Sequence, residues 1–580
     1  MLDELQFRRC QRGGMSMEIA NMMVVDGVPV RIEGERNLLE VISKTGIKLP
    51  VFCYHSDLSI YGACRLCMVE DERGRLMAAC STIPREGMQI RTNTERLRKY
   101  RKNIIELLLA SHCRDCTTCE KSGRCSLQDM AVQFGIKNVR YPNDRTESVR
   151  DDSSTSIIRD ESKCILCGDC VRECNEIQRV GAIDFAYRGS EARISTPFGK
   201  PIAQTLCVNC GQCAAVCPTG AIIVRDDTPV VWKKLDDPKV FVTCEIAPAV
   251  RVGIGHELGL GDDENAMGRI VAALHRMGFD EVYDTATGAD LTVIEEANEF
   301  VHRIENGGTL PLFTSCCPAW VKYVENKYPQ FLPNVSTCRS PMGMFAAVIK
   351  AHYQDRLPEG KTSHYHVALM PCTAKKFEAK RPEFRTVYGP NTDDVITTQE
   401  LIRMIKRSGI MFNELKPEAV DLPFGTMSGA GVIFGVTGGV TEAVLRKIAA
   451  DGSRTVLTQI EYTGVRGMDD VKEAYIPYKG KQLHIAVVSG LSNARKIVRD
   501  IESGEASYDL VEVMACRGGC ISGAGQPYIS RRNRVKRGEG LYRTDSVSRI
   551  KRSQDNPLMK ELYNGMLKGR EHELLHVEYR

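Results

Sequence analysis

The stretch TSCCPAW sets two thiols side by side, Cys316 and Cys317. Adjacent side chains point in different directions in helix and strand alike. One metal centre therefore rarely takes both as equivalent ligands, and the pair is expected to divide its work. Two other motifs carry isolated thiols: MPCTAKKFE holds Cys372, and EVMACRGGCISGAGQP holds Cys516 and Cys520. The last two, four residues apart, can share a helical face or a glycine-supported turn. With one thiolate from each of the other motifs they make four, enough for a 4Fe–4S cubane.

Four more groups occupy the first 230 residues. Cys53, Cys64, Cys67 and Cys80 follow an alternating segment, MVVDGVPVRIEG, with a turn at Asp26-Gly27, and a helical segment, NLLEVISKTGI. Strands, a helix and a cysteine loop are how a plant-type ferredoxin holds a 2Fe–2S cluster, although here the first two ligands lie farther apart. A zinc site is the alternative. His112, Cys116, Cys119 and Cys125 follow the amphipathic helix RLRKYRKNIIELLLASH. Taken alone, one His and three Cys suit zinc; between other cluster sites they suit a 4Fe–4S cluster. Cys113 falls outside the pattern.

The runs CILCGDCVREC and CVNCGQCAAVCP repeat the two-cluster bacterial ferredoxin signature, in which the fourth cysteine of each run serves the other cluster. Cys164, Cys167, Cys170 and Cys217 are expected to hold one 4Fe–4S cluster, and Cys207, Cys210, Cys213 and Cys174 the second. Four accessory clusters in series make an electron wire. The glycine-rich SGAGVIFGVTGG is not a strand–GxGxxG–helix unit and reads as close helix packing. With no flavin or nicotinamide site legible, electrons are expected to pass through a protein partner.

The elements that must position these groups fit a long multidomain chain. Its 580 residues are 43% hydrophobic and 26% charged, and they contain 24 cysteines in tight clusters, which favours metal ligation over disulfides. A net charge of +4 points to neither nucleic acid nor an acidic membrane surface. No apolar run approaches the roughly 18–20 residues of a membrane span. The N-terminus has Arg8-Arg9 but no apolar segment after it, so it reads as a polar extension, with a start at Met15 or Met17 as an alternative and a cytoplasmic location expected. Apolar strands precede the catalytic motifs: LPLF before Cys316, YHVALM before Cys372 and YDLVEVMA before Cys516. Loops at the ends of parallel strands are where α/β folds place their ligands.

These three motifs behind a ferredoxin-like front half resemble the iron-only (FeFe) hydrogenases of the multi-cluster clostridial type. The resemblance implies an H-cluster, a cubane joined to a di-iron unit with CO, CN⁻ and a bridging dithiolate, catalysing 2H⁺ + 2e⁻ ⇌ H₂. It implies that Cys317, Cys372, Cys516 and Cys520 ligate the cubane, with Cys520 bridging. It makes Lys375 the donor to a cyanide ligand, sets Met370 and Met514 against the di-iron unit and makes Cys316 the proton donor. Core packing is the equally good reading for either methionine. A thiol, with an ordinary pKa near 8.5, exchanges protons in either direction close to neutrality.

In DLTVIEEANEFVHRIENGG the apolar stripe is Ile294, Ala297, Val301 and Ile304, with Glu296, Glu299 and Arg303 beside it. Composition alone makes that neighbouring stripe a solvated face. The resemblance makes it a proton path, Cys316, Glu296, Ser336, Glu299 and Arg303, and leaves Glu295 as surface. One departure is Met342, where related enzymes commonly have glutamine. The basic SRRNRVKRG (530–538) reads as a solvated segment rather than a docking patch, and the C-terminal LMKELYNGMLKGREHELLHVEYR as a helix and tail wrapping the catalytic domain.

The expected architecture is multidomain, α+β and α/β. An extension (1–21) precedes a β-grasp 2Fe–2S domain (22–98), a small 4Fe–4S domain with one His and three Cys ligands (99–145) and a two-cluster ferredoxin domain (146–228). A two-lobed α/β H-cluster domain (229–580) follows. Expected cofactors are one 2Fe–2S cluster, three accessory 4Fe–4S clusters and the H-cluster. Expected partners are ferredoxin or flavin- and NAD-binding subunits, together with maturation proteins. The first 230 residues also resemble iron–sulfur subunits of respiratory NADH dehydrogenase and of formate dehydrogenases. A non-catalytic electron-transfer subunit, an iron–sulfur assembly relative or an H₂ sensor is therefore the alternative. The paired cysteines, Lys375 and the complete set of path residues argue for turnover.

Overall fold

The computed structural model describes residues 21–142, 149–261, 263–449, 454–461, 464–528 and 531–579. Of the expected N-terminal extension, all but Asn21 lies outside the described residues. The chain divides into two units, the first comprising 1–149, 160–169 and 218–221, the second 150–159, 170–217 and 222–580.

In the first unit the alternating N-terminal segment forms an antiparallel hairpin, β1 (Met22–Val25) and β2 (Val28–Arg31). Asp26 and Gly27 turn it with φ of 48° and 85°, the left-handed pair that matches strand twist. Helix α1 (Leu38–Ser43) is capped by the Asn37 side chain and buries Leu38, Val41 and Ile42. Strands β3 (Met68–Asp71), β4 (Leu76–Ala78) and β5 (Gln89–Arg91) complete a sheet in the order β2-β1-β5-β3-β4. Helix α2 (Glu95–Ala110) starts on Thr94, whose side chain accepts from Leu97 N–H, and runs across the expected boundary at 98 and 99. Its buried Arg101 donates to the Leu66 and Met68 carbonyls (3.1 and 2.7 Å), which fastens the helix to the first cysteine loop.

In the second unit eight strands build two sheets: β6 (Val240–Ile246), β7 (Glu281–Asp284), β8 (Leu312–Phe313), β9 (Ser363–Met370), β10 (Asp394–Thr397), β11 (Val471–Tyr478), β12 (Lys481–Ser489) and β13 (Leu510–Met514). The first sheet, β7-β6-β9-β10, is parallel throughout. The second, β8-β13-β12-β11, is parallel except for the hairpin β11–β12. Every residue of β6 and β13 is buried, as parallel strands covered on both faces require. Two such sheets with their helices give this half the mixed α/β content expected of it.

The helices that matter for the site are α3 (Ala286–Asn306), α4 (Pro318–Lys327), α5 (Pro341–Tyr353) and α6 (Ala374–Lys380). A Cβ at Gly288 would lie 2.4 Å from the Pro341 carbonyl oxygen, so α3 and α5 touch where only glycine fits. The segment SGAGVIFGVTGG does serve close packing, since a Cβ at Gly431 would lie 2.3 Å from the Ala286 carbonyl oxygen. Near the C-terminus, α7 (Pro557–Asn564) and α8 (Glu571–Leu575) pack leucines 558, 562, 574 and 575 into the core around Phe345 and Val348, and Cys338 pairs with His576. The basic stretch differs from its expectation. From Arg531 it is a helix, and Arg537 is wholly buried, donating to the carbonyls of Ile521, Gly253 and Pro527. Among the described residues no helix is long and apolar enough to cross a membrane.

Candidate active site

The loops leaving β8, β9 and β13 deliver their cysteines to one place. Cys316, Cys317, Cys372, Cys516 and Cys520 line a largely apolar cavity together with Lys375, Met370, Met514 and Met342. The methionines are buried; Met370 ends β9 and Met514 ends β13. Burial and the neighbouring Cys317 push Cys372 up to about 11. Cys516 and Cys520 are raised by burial and by Cys372 and Cys317. Four thiols, one buried and three half-buried, that resist ionisation together become thiolates around a cationic centre, so the donor set fits an iron–sulfur cubane. Ala515 N–H donates to Cys317 Sγ at 3.4 Å, and Gln212 Nε2 donates to Cys516 Sγ at 2.9 Å.

Lys375 Nζ donates to Glu378 Oε2 (2.7 Å) and to the Cys316 carbonyl (3.3 Å). Burial works against its charge, but Glu378 more than offsets this and the lysine pKa is raised, leaving an ammonium at the cavity wall.

The Cys316 thiol is buried and raised well above its usual range, first by burial and then by Glu296. Glu296 is wholly buried on α3, and among the described residues no close hydrogen bond satisfies either carboxylate oxygen. Burial, then the charge of Glu299, pushes it up to about 8; the nearby Ser315 N–H and Ser336 hydroxyl only soften that shift. Ser336 Oγ donates to Glu299 Oε2 at 2.8 Å, and Arg303 Nη2 to Glu299 Oε1 at 2.5 Å. Glu299 thus joins Ser336 to Arg303, while Glu296 lies close enough to Cys316 and to Glu299 for each to feel its charge.

The family models place these features. "Iron only hydrogenase large subunit, C-terminal domain" matches residues 240–524 and "Iron hydrogenase small subunit" matches 531–580. The front half matches a "2Fe-2S iron-sulfur cluster binding domain" (22–95), the "NADH-ubiquinone oxidoreductase-G iron-sulfur binding region" (101–140) and a "4Fe-4S dicluster domain" (163–221). The NADP-reducing hydrogenase subunit HndD of Solidesulfovibrio fructosivorans is 40% identical over 96% of this chain and 98% of its own. Iron hydrogenase 1 of Clostridium pasteurianum is 35% identical over 96% and 99%. The chain belongs to the iron-only hydrogenase family. A solved structure of a variant of the FeFe-hydrogenase HydA1 from Chlamydomonas reinhardtii is similar at 36% identity and a TM-score of 0.52, covering 61% of this chain and 99% of that one. As an iron-only hydrogenase the protein interconverts protons, electrons and H₂, with its iron–sulfur domains relaying the electrons.

In the front half of this hydrogenase, Cys53 with Cys64 and Cys67 with Cys80 form two thiol pairs, in which hydrogen bonding holds Cys64 and Cys67 below the usual thiol range. Cys80 also feels Cys53 and Cys64, so all four converge. His112 is buried two residues past α2, and Cys125 feels Cys119 and Cys116. Cys213 feels Cys210, Cys207 and Cys174, which gathers the second ferredoxin set. Of the other set, Cys164 and Cys167 lie in the first unit and Cys170 and Cys217 in the second.

Two expectations on α3 change. The buried face holds Val293, Glu296, Ala297 and Phe300, while Ile294, Val301 and Ile304 are half-buried, so Glu296 is not on a solvated face. Glu295 is not at the surface either: it accepts from Tyr563 and contacts His576 Nε2 at 3.1 Å, with its side chain 12% exposed. Sequence reasoning also missed Glu378, Gln212, Thr337 and His576. Only Glu378, three residues after Lys375 on one helix, had a local signal; the others act across long separations.

Proposed function

We propose that Cys317, Cys372, Cys516 and Cys520 hold the cubane of the H-cluster, with Cys520 bridging to the di-iron unit, and that Cys316 exchanges protons with the site. The observation that carries this reading is the convergence of five thiols and one ammonium on a single apolar cavity. When bound, the H-cluster supplies the iron at which protons, electrons and H₂ interconvert. Lys375 offers its ammonium hydrogens to a cyanide ligand, while Glu378 fixes its direction. Met370 and Met514 give soft, apolar walls.

Proton traffic falls to the chain's own residues. Cys316 stays a thiol at neutral pH because burial disfavours its anion. Glu296, at about 8, is protonated often enough to reload it. Ser336 passes the proton between Glu296 and Glu299, and Arg303 holds Glu299 in place.

The accessory assignments follow the same logic. One 2Fe–2S cluster sits on Cys53, Cys64, Cys67 and Cys80 within 22–98, and one 4Fe–4S cluster on His112, Cys116, Cys119 and Cys125 within 99–145. Two cubanes use Cys164, Cys167, Cys170 with Cys217, and Cys207, Cys210, Cys213 with Cys174, within 146–228; residues 229–580 carry the H-cluster. The contact from Gln212 to Cys516 supports electron entry from the second of these cubanes. HndD is named as a subunit of an NADP-reducing hydrogenase. By that likeness this chain exchanges electrons with ferredoxin or a flavin- and NAD(P)-binding subunit, after maturation proteins supply the di-iron unit, in an anaerobic cytoplasm. Matured and anaerobic, the isolated chain is expected to evolve H₂ from reduced viologen and to reduce ferredoxin with H₂, but not NADP. NADP reduction by the chain alone would remove the partner subunit. Clusters and infrared bands without turnover would leave a sensor.

A further inference from the structure

Arg303 stands at the outer end of the proton path, yet a guanidinium does not give up its proton in a protein. It holds Glu299 Oε1 and is itself held by the Thr309 and Pro333 carbonyls, each at 3.0 Å. Glu299 itself is only slightly exposed, so a titratable neighbour offers it a further route to water. The second oxygen, Oε2, accepts from Thr337 Oγ1 at 3.3 Å and from Thr337 N–H at 3.1 Å. Thr337 Oγ1 also contacts His576 Nδ1 at 2.9 Å, and His576 Nε2 contacts Glu295 Oε2 at 3.1 Å. His572, exposed and one turn earlier on the tail, stacks its ring on His576 with centroids 5.5 Å apart.

We propose that His576, on the C-terminal tail, is a proton entry and exit of this hydrogenase, joined to Glu299 through the Thr337 hydroxyl. The proposal rests on the inner path Cys316, Glu296, Ser336 and Glu299 given above. In the inward step, the Nδ1–H bond of the imidazolium breaks as an O–H bond forms at Thr337 Oγ1. The original Thr337 O–H bond breaks as one forms at Glu299 Oε2. One proton has moved, Glu299 is neutral and His576 is neutral; a hydronium ion at the exposed His572–His576 edge then gives a proton to the imidazole and leaves as water, and the Thr337 hydroxyl rotates back toward Glu299. H₂ oxidation runs the same exchange outward. The charged and titratable groups facing His576 are Glu295 and Glu299 from α3, His572 from α8, and Arg339, whose guanidinium holds the His576 and Glu573 carbonyls at 2.9 and 3.1 Å.

The test compares Thr337→Val, which removes the hydroxyl at similar volume, with Thr337→Ser, which keeps it, and with His576→Gln and His576→Ala. In protein expressed without the maturation machinery, hydrogen–deuterium exchange of the buried carboxylic acids is followed by their infrared carbonyl band. Thr337→Val and His576→Gln should slow it several-fold, Thr337→Ser should restore it, and added imidazole should accelerate it in His576→Ala. In matured protein the same two variants should slow H₂ evolution by roughly three- to tenfold, less than the roughly hundredfold expected for loss of the proton donor itself. Exchange and turnover at parental rates in both variants would overturn the branch. If Glu296→Gln still abolished turnover, only the branch would fail; if Glu296→Gln were also silent, the inner path would fail with it. A slowing that neither Thr337→Ser nor imidazole relieves would assign the effect to tail packing and overturn the relay.

Discussion

Gln212 donates its side-chain amide to Cys516 Sγ across 2.9 Å, and the same nitrogen reaches the Ser522 carbonyl at 3.1 Å. Gln212 lies between Cys210 and Cys213, so one side chain ties the second ferredoxin run to a thiol of the active-site cavity. Hydrogen bonds to a ligating sulfur favour the reduced cluster. Gln212→Leu should therefore lower the midpoint potential of the H-cluster cubane by roughly 40 mV, the one-electron equivalent of about 1 kcal/mol. An anaerobic redox titration followed by electron paramagnetic resonance reads this directly. An unchanged potential would mean that the contact does not survive cluster loading.

Glu296 makes stability depend on pH in a set direction. Its folded pKa of about 8 lies above the ordinary glutamate value of 4.5, so between those limits the folded chain keeps a proton that the unfolded chain releases. Its contribution therefore falls as pH rises through that window and levels off above about 8. Glu296→Gln, which cannot ionise, should gain melting temperature relative to the parent at about pH 8.5 by more than at about pH 5. Equal differences at both would show that Glu296 titrates normally.

Lys375 and Glu378 form a buried ion pair, with side chains 11% and 2% exposed. Removing one partner strands the other charge. Glu378→Leu should cost about 3 kcal/mol, and Lys375→Met/Glu378→Leu should recover much of it. Chemical denaturation of the four members of this cycle measures the coupling. Lys375→Met should also lose the CO and CN⁻ infrared bands while keeping the cubanes.

The cysteine clusters were legible because their members mostly lie within a few residues of each other, and the strands before Cys372 and Cys516 because buried parallel strands are largely apolar. On α3 the periodicity misled. Hydrophobic spacing assigns Ile294, Val301 and Ile304 to the core, whereas the fold turns Glu296 inward and leaves those three half-buried. A carboxylate on a buried face breaks the local pattern, as functional groups do. Glu295 looked like surface because its partners, Tyr563 and His576, arrive from a tail 268 and 281 residues away. No local spacing encodes such a pairing.

The most direct test is Cys316→Ser in matured protein, with H₂ evolution and the CO and CN⁻ infrared bands recorded on the same anaerobic sample. Serine keeps the size of the side chain but is a far weaker acid. Turnover should fall by at least roughly a hundredfold while the bands and clusters persist, marking Cys316 as the proton donor beside an intact H-cluster. Turnover at the parental rate with the bands retained would contradict that assignment.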